Sequence, residues 1–211
     1  MTEIDHHQDL KEEIREAVQS GFEVHQKIKA ITLKAIVSRE LDLESIRTVI
    51  EKVSHGIYDG MTTHADHTQA VFTQAASALD DALAIATEAS KLAIEEAVSR
   101  VSEYSKQDLD RAAKDMQGIE NLFLDNLEKA VKGSNRVLVD MVGDFVWHAR
   151  HTGTSVGKQA IAALDMLKQL PNWGRDTVVE STRAAVISVA EIGSGILLGI
   201  AESLYIPHLK K

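Results

Sequence analysis

The chain has 211 residues, of which 44% are hydrophobic and 26% are charged. This is the composition of one folded domain with a sizeable core, and it excludes a disordered chain. The formal net charge is −9 and there is no cysteine. We expect no nucleic-acid partner, because such binding needs a basic surface, and we expect no disulfide, thiol nucleophile or thiolate metal site.

The first residues, MTEIDHH, contain neither the basic nor the apolar stretch of a secretory signal, so we expect a cytoplasmic protein. Both prolines, Pro171 and Pro207, lie late in the chain, which permits long helices before them. The first helix is predicted over residues 5–37, where apolar residues recur close to a spacing of 3.6. Residues 38–42 predict a turn.

A second helix is predicted over residues 42–104, where apolar residues recur every eleven positions. Eleven residues in three turns keep an apolar stripe on one side of a helix with almost no supercoiling. Gly56 and Gly60 are the weak points of this helix, and a break near Gly60 stays open. The stripe residues of this segment are Ile50, Met61, Phe72, Leu79, Leu83 and Ile94.

The same period continues through a third predicted helix, residues 105–170, with a possible kink at Gly153. Ser105 and Asp108 fit a capping box at its start, and Pro171 ends it. The stripe residues of this segment are Phe123, Leu127, Leu138 and Phe145.

The last helix is predicted over residues 176–205, and it carries few charges. Small residues line up along it, which is typical of close helix packing or of an oligomer interface. We expect the protein to self-associate as a dimer and the Gly195–Gly199 pair to mark its closest helix contact. Glu191 argues against a transmembrane span over residues 184–201. The small residues are Ala184, Ser188, Gly195, Gly199 and Ser203.

No catalytic, cofactor-binding or metal site is predicted. The pairs His64/His67 and His148/His151 each share a helix face, but no matching carboxylate set accompanies them, so we interpret them as solvated. Residues 153–158, GTSVGK, lack the spacing of a phosphate-binding loop and indicate a helix kink. Trp147 and Trp173 are interpreted as anchors where helices cross.

Two segments, HTQAVFTQAASAL at 67–79 and ASKLAIEEAVSRV at 89–101, resemble bacterial phasins, the helical proteins that coat polyhydroxyalkanoate granules. The eleven-residue amphipathic period also resembles exchangeable apolipoproteins, which coat lipid. The similarity covers residues 60–170. It lies in the general composition and amphipathic pattern and includes no signature motif. It implies a protein that coats an apolar surface.

We therefore predict a single all-α domain, residues 1–211, built as an elongated bundle of four to five helices, two of them long. The favoured function is a non-enzymatic coat on an apolar surface, a storage granule or lipid, because an amphipathic stripe can serve such a surface as well as another helix. The alternative is a homo-oligomeric scaffold or adaptor. A membrane-inserting protein and a metal-dependent helical enzyme are less favoured.

Overall fold

A computed structural model describes residues 3–39, 41–62, 68–99, 106–168 and 188–205. The all-α prediction is confirmed, since the described residues form helices and no strand. They divide into more and shorter helices than the four or five expected. The helices are α1 (Glu3–Ser20), α2 (Val24–Val37), α3 (Leu43–Met61), α4 (Thr68–Ser99), α5 (Lys106–Ala130), α6 (Arg136–Thr152), α7 (Ser155–Lys168) and α8 (Val189–Tyr205).

The predicted first helix, residues 5–37, is wrong as one element, because the chain turns between α1 and α2. Gly21 takes a left-handed conformation with φ +62°, and Glu23 follows with φ +50°. The Ser20 hydroxyl donates to the Ala17 carbonyl, 2.8 Å away, and the Gly21 N–H donates to the Val18 carbonyl. Such a turn frees α1 to pack on α3 and α2 to pack on α4.

The predicted second helix, residues 42–104, breaks just beyond Gly60. Helix α3 begins with Asp42, whose carboxylate accepts from the Ser45 N–H at 2.8 Å, and ends at Met61. Helix α4 begins at Thr68. The segment 63–67 lies outside the described residues.

The predicted helix 105–170 is wrong as one element, because it is divided at two points. At the first, Gly133 has φ +87° and the Asn135 side chain accepts from the Leu138 N–H at 3.0 Å, which starts α6. At the second, Gly153 has φ +78° and ends α6, so the expected kink is a full break. The Ser105 cap and the end before Pro171 lie outside the described residues.

Helix α8 starts at Val189 behind a capping box. The Ser188 N–H donates to Glu191 Oε2 at 2.9 Å, and the Ser188 hydroxyl accepts from the Glu191 N–H at 3.1 Å. Reciprocal bonds of this kind mark the start of a helix. Ser188 is therefore a cap of α8, whereas residues 176–187 of the predicted helix, Ala184 among them, lie outside the described residues.

Helix α4 lies in the centre of the bundle and packs against α2, α7 and α8. A helix that contacts neighbours on several sides must be apolar or small all round. Alanine provides this, because it lets neighbouring backbones approach without leaving polar groups unpaired. The buried alanines of α4 are Ala75, Ala76, Ala78, Ala82, Ala86, Ala89 and Ala93.

Helices α1 and α3 cross closely at Gly56 and Gly60. A Cβ on Gly56 would lie 2.6 Å from the Lys11 carbonyl oxygen, and one on Gly60 would lie 2.6 Å from Val18 Cβ. The close contact expected at Gly195 and Gly199 is not made with any described residue, because no described atom lies within 4 Å of a Cβ on either. In α8 the glycine beside a neighbouring helix is Gly193, where an added Cβ would lie 2.9 Å from Leu41 Cδ2.

Candidate functional site

The N-terminus of α7 holds two carboxylates that come from two other helices. The first is Asp80 of α4, which is partly buried. One of its oxygens accepts from the Ser155 N–H at 2.8 Å and the other from the Val156 N–H at 2.9 Å. Free N–H groups and the helix dipole make a helix N-terminus attract negative charge.

The second carboxylate is Glu120 of α5. Its Oε1 accepts from the Thr154 hydroxyl at 2.6 Å and from the Thr154 N–H at 3.1 Å. The Thr154 hydroxyl in turn accepts from the Gly157 N–H at 2.9 Å. A Cβ at Gly157 would lie 2.3 Å from Glu120 Oε1, so a larger residue there would displace this carboxylate.

These hydrogen bonds show which groups bind the N–H groups of the segment 153–158. The segment does lie at a helix N-terminus, as a phosphate-binding loop would, but side chains of the same protein occupy its N–H groups. The arrangement ties α4, α5 and α7 together, so its chemistry is structural. Burial is the largest influence on Asp80 and raises its pKa, although the bonds from Val156 and Ser155 act in the opposite direction.

Helix α6 presents an apolar surface to solvent as well as to the bundle. Val137 is 70% exposed and Trp147 is 63% exposed, and Val139 is also exposed. The interpretation of Trp147 as an anchor between helices is wrong, and Trp173 lies outside the described residues. Its ring stacks instead on His151 of its own helix, with 4.2 Å between the ring centroids, and His151 Nδ1 lies 2.7 Å from the Trp147 carbonyl oxygen.

The inner face of α6 closes the bundle over the ends of α3 and α5. Phe145 meets Phe72 of α4 edge to face, with 5.5 Å between ring centroids. Beneath α6 lies an apolar crevice with room for about one water molecule. The buried Ser54 hydroxyl of α3 borders it and makes no hydrogen bond to any described residue. The crevice is lined by Ser54, Ile57, Tyr58, Met61, Phe72, Leu127, Ala130, Val131, Leu138 and Val142.

The predicted stripe residues point into the bundle. Phe145 is partly buried against the core, and the others are buried: Ile50, Met61, Phe72, Leu79, Leu83, Ile94, Phe123, Leu127 and Leu138. The stripe therefore serves packing between helices in this conformation. Gly195 and Gly199 face outward on α8, and the side chain of Ser203 lies outside the described residues.

In the part of the chain that the structure describes, no three His, Asp or Glu side chains converge as metal ligands would. His148 and His151 are exposed on α6, whereas His64 and His67 lie outside the described residues. A search of the same described residues finds no helix with the length and hydropathy that a membrane span requires.

Sequence reasoning missed the two carboxylates at α7 and the exposed surface of α6. The only signal for the first was the run GTSVGK, which indicates a helix start but not what occupies it. The second could have been found from Val137, Asp140, Trp147 and His151, which share the face of α6 opposite Leu138 and Val142.

Residues 1–205 match one family, described as a family of unknown function (DUF6781). No curated protein and no solved structure shows significant similarity to the chain.

Proposed function

The chain belongs to the DUF6781 family, whose function is unknown, and we propose that it is a non-enzymatic, phasin-like protein that coats an uncharged apolar surface. The observation that carries this proposal is the position of the exposed apolar side chains. Six large ones are exposed among the described residues, and four of them, Val137, Val139, Trp147 and Ile161, lie on the consecutive helices α6 and α7.

The chemistry of this region suits an interface. Tryptophan is enriched where one side of a protein meets an apolar phase and the other meets water, because its ring is large and its N–H is polar. The net charge of −9 opposes approach to an anionic membrane, so the surface we propose is an uncharged polyester granule. The similarity of residues 60–170 to phasins points the same way.

Co-sedimentation with polyhydroxybutyrate particles tests the proposal. We expect the wild-type protein to pellet with the particles, and Trp147 to report contact by a blue shift of its fluorescence in a Trp173→Phe background. Val137→Ser combined with Trp147→Ser should weaken pelleting, whereas a matched exposed change on α2, Lys34→Ser, should not. Absence of pelleting by the wild-type protein would refute the coat.

The homo-oligomeric scaffold is the second candidate, and one observation favours it. Gly195 and Gly199 lie in the interior of α8, where each costs about 1 kcal/mol relative to alanine. No atom of the described chain approaches the space that their missing Cβ atoms would fill. A partner helix from a second copy would account for this cost through close backbone contact.

A further inference from the structure

Helix α6 differs from the other helices in how it is held. It packs chiefly against α5, and more sparsely than α1 packs on α3 or α4 on α7. It runs antiparallel to α5, because Arg150 near its end reaches Asp125 at 2.8 Å while Leu138 near its start borders the same crevice as Ala130 and Val131. An element with few packing contacts opens more readily than the rest of a fold.

A glycine with positive φ lies near each end of α6: Gly133, three residues before its first residue, has φ +87°, and Gly153, its C-cap, has φ +78°. Among the described residues, no atom lies within 4 Å of the position of a Cβ at Gly133, and only the end of the flexible Lys158 side chain does so at Gly153. Glycine has no Cβ and adopts a wider range of φ and ψ than other residues, so both links can serve as hinges. The neighbours are fixed, since α5 contacts α3 and α7, and α7 is bound at its N-terminus by Asp80 and Glu120.

The layer beneath α6 is imperfectly filled. It contains the apolar crevice, and the buried Ser54 hydroxyl that borders the crevice makes no hydrogen bond to a described residue. The inner face of α6, by contrast, is continuous and apolar, with Leu138, Val142, Val146 and Ala149 buried and Phe145 packed beside them.

From these observations we infer that α6 is a strap, hinged at Gly133 and Gly153, that rolls away from the bundle and lays its inner apolar face on an uncharged polyester surface. The inference rests on the proposed function. It explains how a protein whose stripe is buried can offer more than the exposed side chains Val137, Val139 and Trp147 to such a surface. The bundle below keeps its α1–α3 and α4–α7 contacts.

Cross-linking tests the strap, and because the chain has no native cysteine, only the introduced cysteines can react. The variant Asp125→Cys/Arg150→Cys places one cysteine on α5 and one on α6, at two partly exposed positions that form an ion pair in the wild type. A short bismaleimide should lock the strap and weaken binding to polyhydroxybutyrate particles by about tenfold or more relative to the same variant without cross-linker. The control is Lys11→Cys/Asp59→Cys, which links α1 to α3 at another ion pair and should leave binding unchanged.

The outcomes separate the two proposals. If the locked α5–α6 variant binds as well as its uncross-linked form, the strap is refuted and the coat stands. If the protein binds phosphatidylcholine vesicles but no form of it binds the polyester particles, the polyester surface is refuted. If it binds neither the particles nor the vesicles, both the coat and the strap are refuted. Hydrogen exchange gives an independent measure without any surface: amides of α6 should exchange faster than those of α5 and α7, and equal protection would overturn the strap.

Discussion

At the scale of single residues, glycines carry the most information about this fold, and their positions in space decide what each one does. Two pairs share the same spacing, Gly56–Gly60 and Gly195–Gly199. The first lies where α1 crosses α3, and the second faces open space. The same four-residue spacing therefore marks a close crossing in one helix and an exposed surface in another.

Gly56→Ala should destabilise the protein. The new Cβ would lie 2.6 Å from the backbone oxygen of Lys11 and 2.8 Å from Ile14 Cβ, so one helix has to move. We expect a loss of about 1–3 kcal/mol from overpacking, which exceeds the gain of about 1 kcal/mol from replacing a helical glycine by alanine. Urea unfolding followed by circular dichroism measures the change.

The matched control is Gly143→Ala on α6, where a Cβ would meet no atom within 4 Å. This variant should be as stable as the wild type or more stable by up to about 1 kcal/mol. Equal effects of the two substitutions would contradict the close crossing of α1 and α3.

At the scale of helices, the breaks in the chain are made by local geometry that an amphipathic pattern passes over. The eleven-residue period runs through Gly133 and Gly153 without losing phase, yet the chain reverses or turns at both. After a reversal the chain packs against the same core, so apolar residues beyond the turn can continue the eleven-residue period. The pattern records which residues are buried, not whether one helix carries them.

Asn135→Ala should destabilise α6 by about 1 kcal/mol, because the side chain satisfies the Leu138 N–H at the start of that helix. Asn135→Asp keeps an acceptor in place and should cost much less. Thermal unfolding of the two variants measures the difference. A loss of similar size in both would mean that the cap does not stabilise α6.

The buried Asp80 predicts a dependence of stability on pH. Since its pKa in the folded protein is raised above the ordinary value of 3.8, the folded protein binds more protons than the unfolded chain between those two values. The contribution of Asp80 to the free energy of unfolding is therefore largest at low pH and falls as the pH rises through that window.

Asp80→Asn removes this titration. The stability of the wild type relative to this variant should decrease as the pH rises from 3.8 through the mildly acidic range. Urea unfolding at a series of pH values measures the trend. Asp140→Asn, at an exposed carboxylate of α6, controls for the loss of one surface charge, and an increase of the difference with pH would contradict the role of burial.

At the scale of the whole molecule, self-association and the elongated shape stay predictions. If α8 packs on α8 of a second copy, Gly199→Leu should shift a dimer towards the monomer, because the larger side chain separates the helices. Among the described residues of one copy, no atom lies within 4 Å of a Cβ at this position, so the substitution should not lower the melting temperature of the monomer. Sedimentation equilibrium measures the association, and a monomeric wild type at micromolar concentration would contradict the interface.

Local propensity and the periodicity of apolar side chains predicted an all-α chain and the stripe residues of its core, and both predictions hold over the described residues. Ile50, Leu83, Ile94 and Phe123 are buried where the period places them. Helix α3 starts next to residue 42, where the second helix is predicted to begin, and its cap is a local bond between the Asp42 side chain and the Ser45 N–H.

Three features depend on contacts between distant parts of the chain: where helices reverse, which glycines lie at a crossing, and which side chains bind the N-terminus of α7. Asp80 and Glu120 lie 75 and 34 residues before Ser155 and Thr154, their respective partners, so no local pattern links them. The exposure of Trp147 likewise depends on the tertiary structure. A side chain becomes core or surface according to which helices pack on its own, and that choice depends on contacts between residues far apart in sequence.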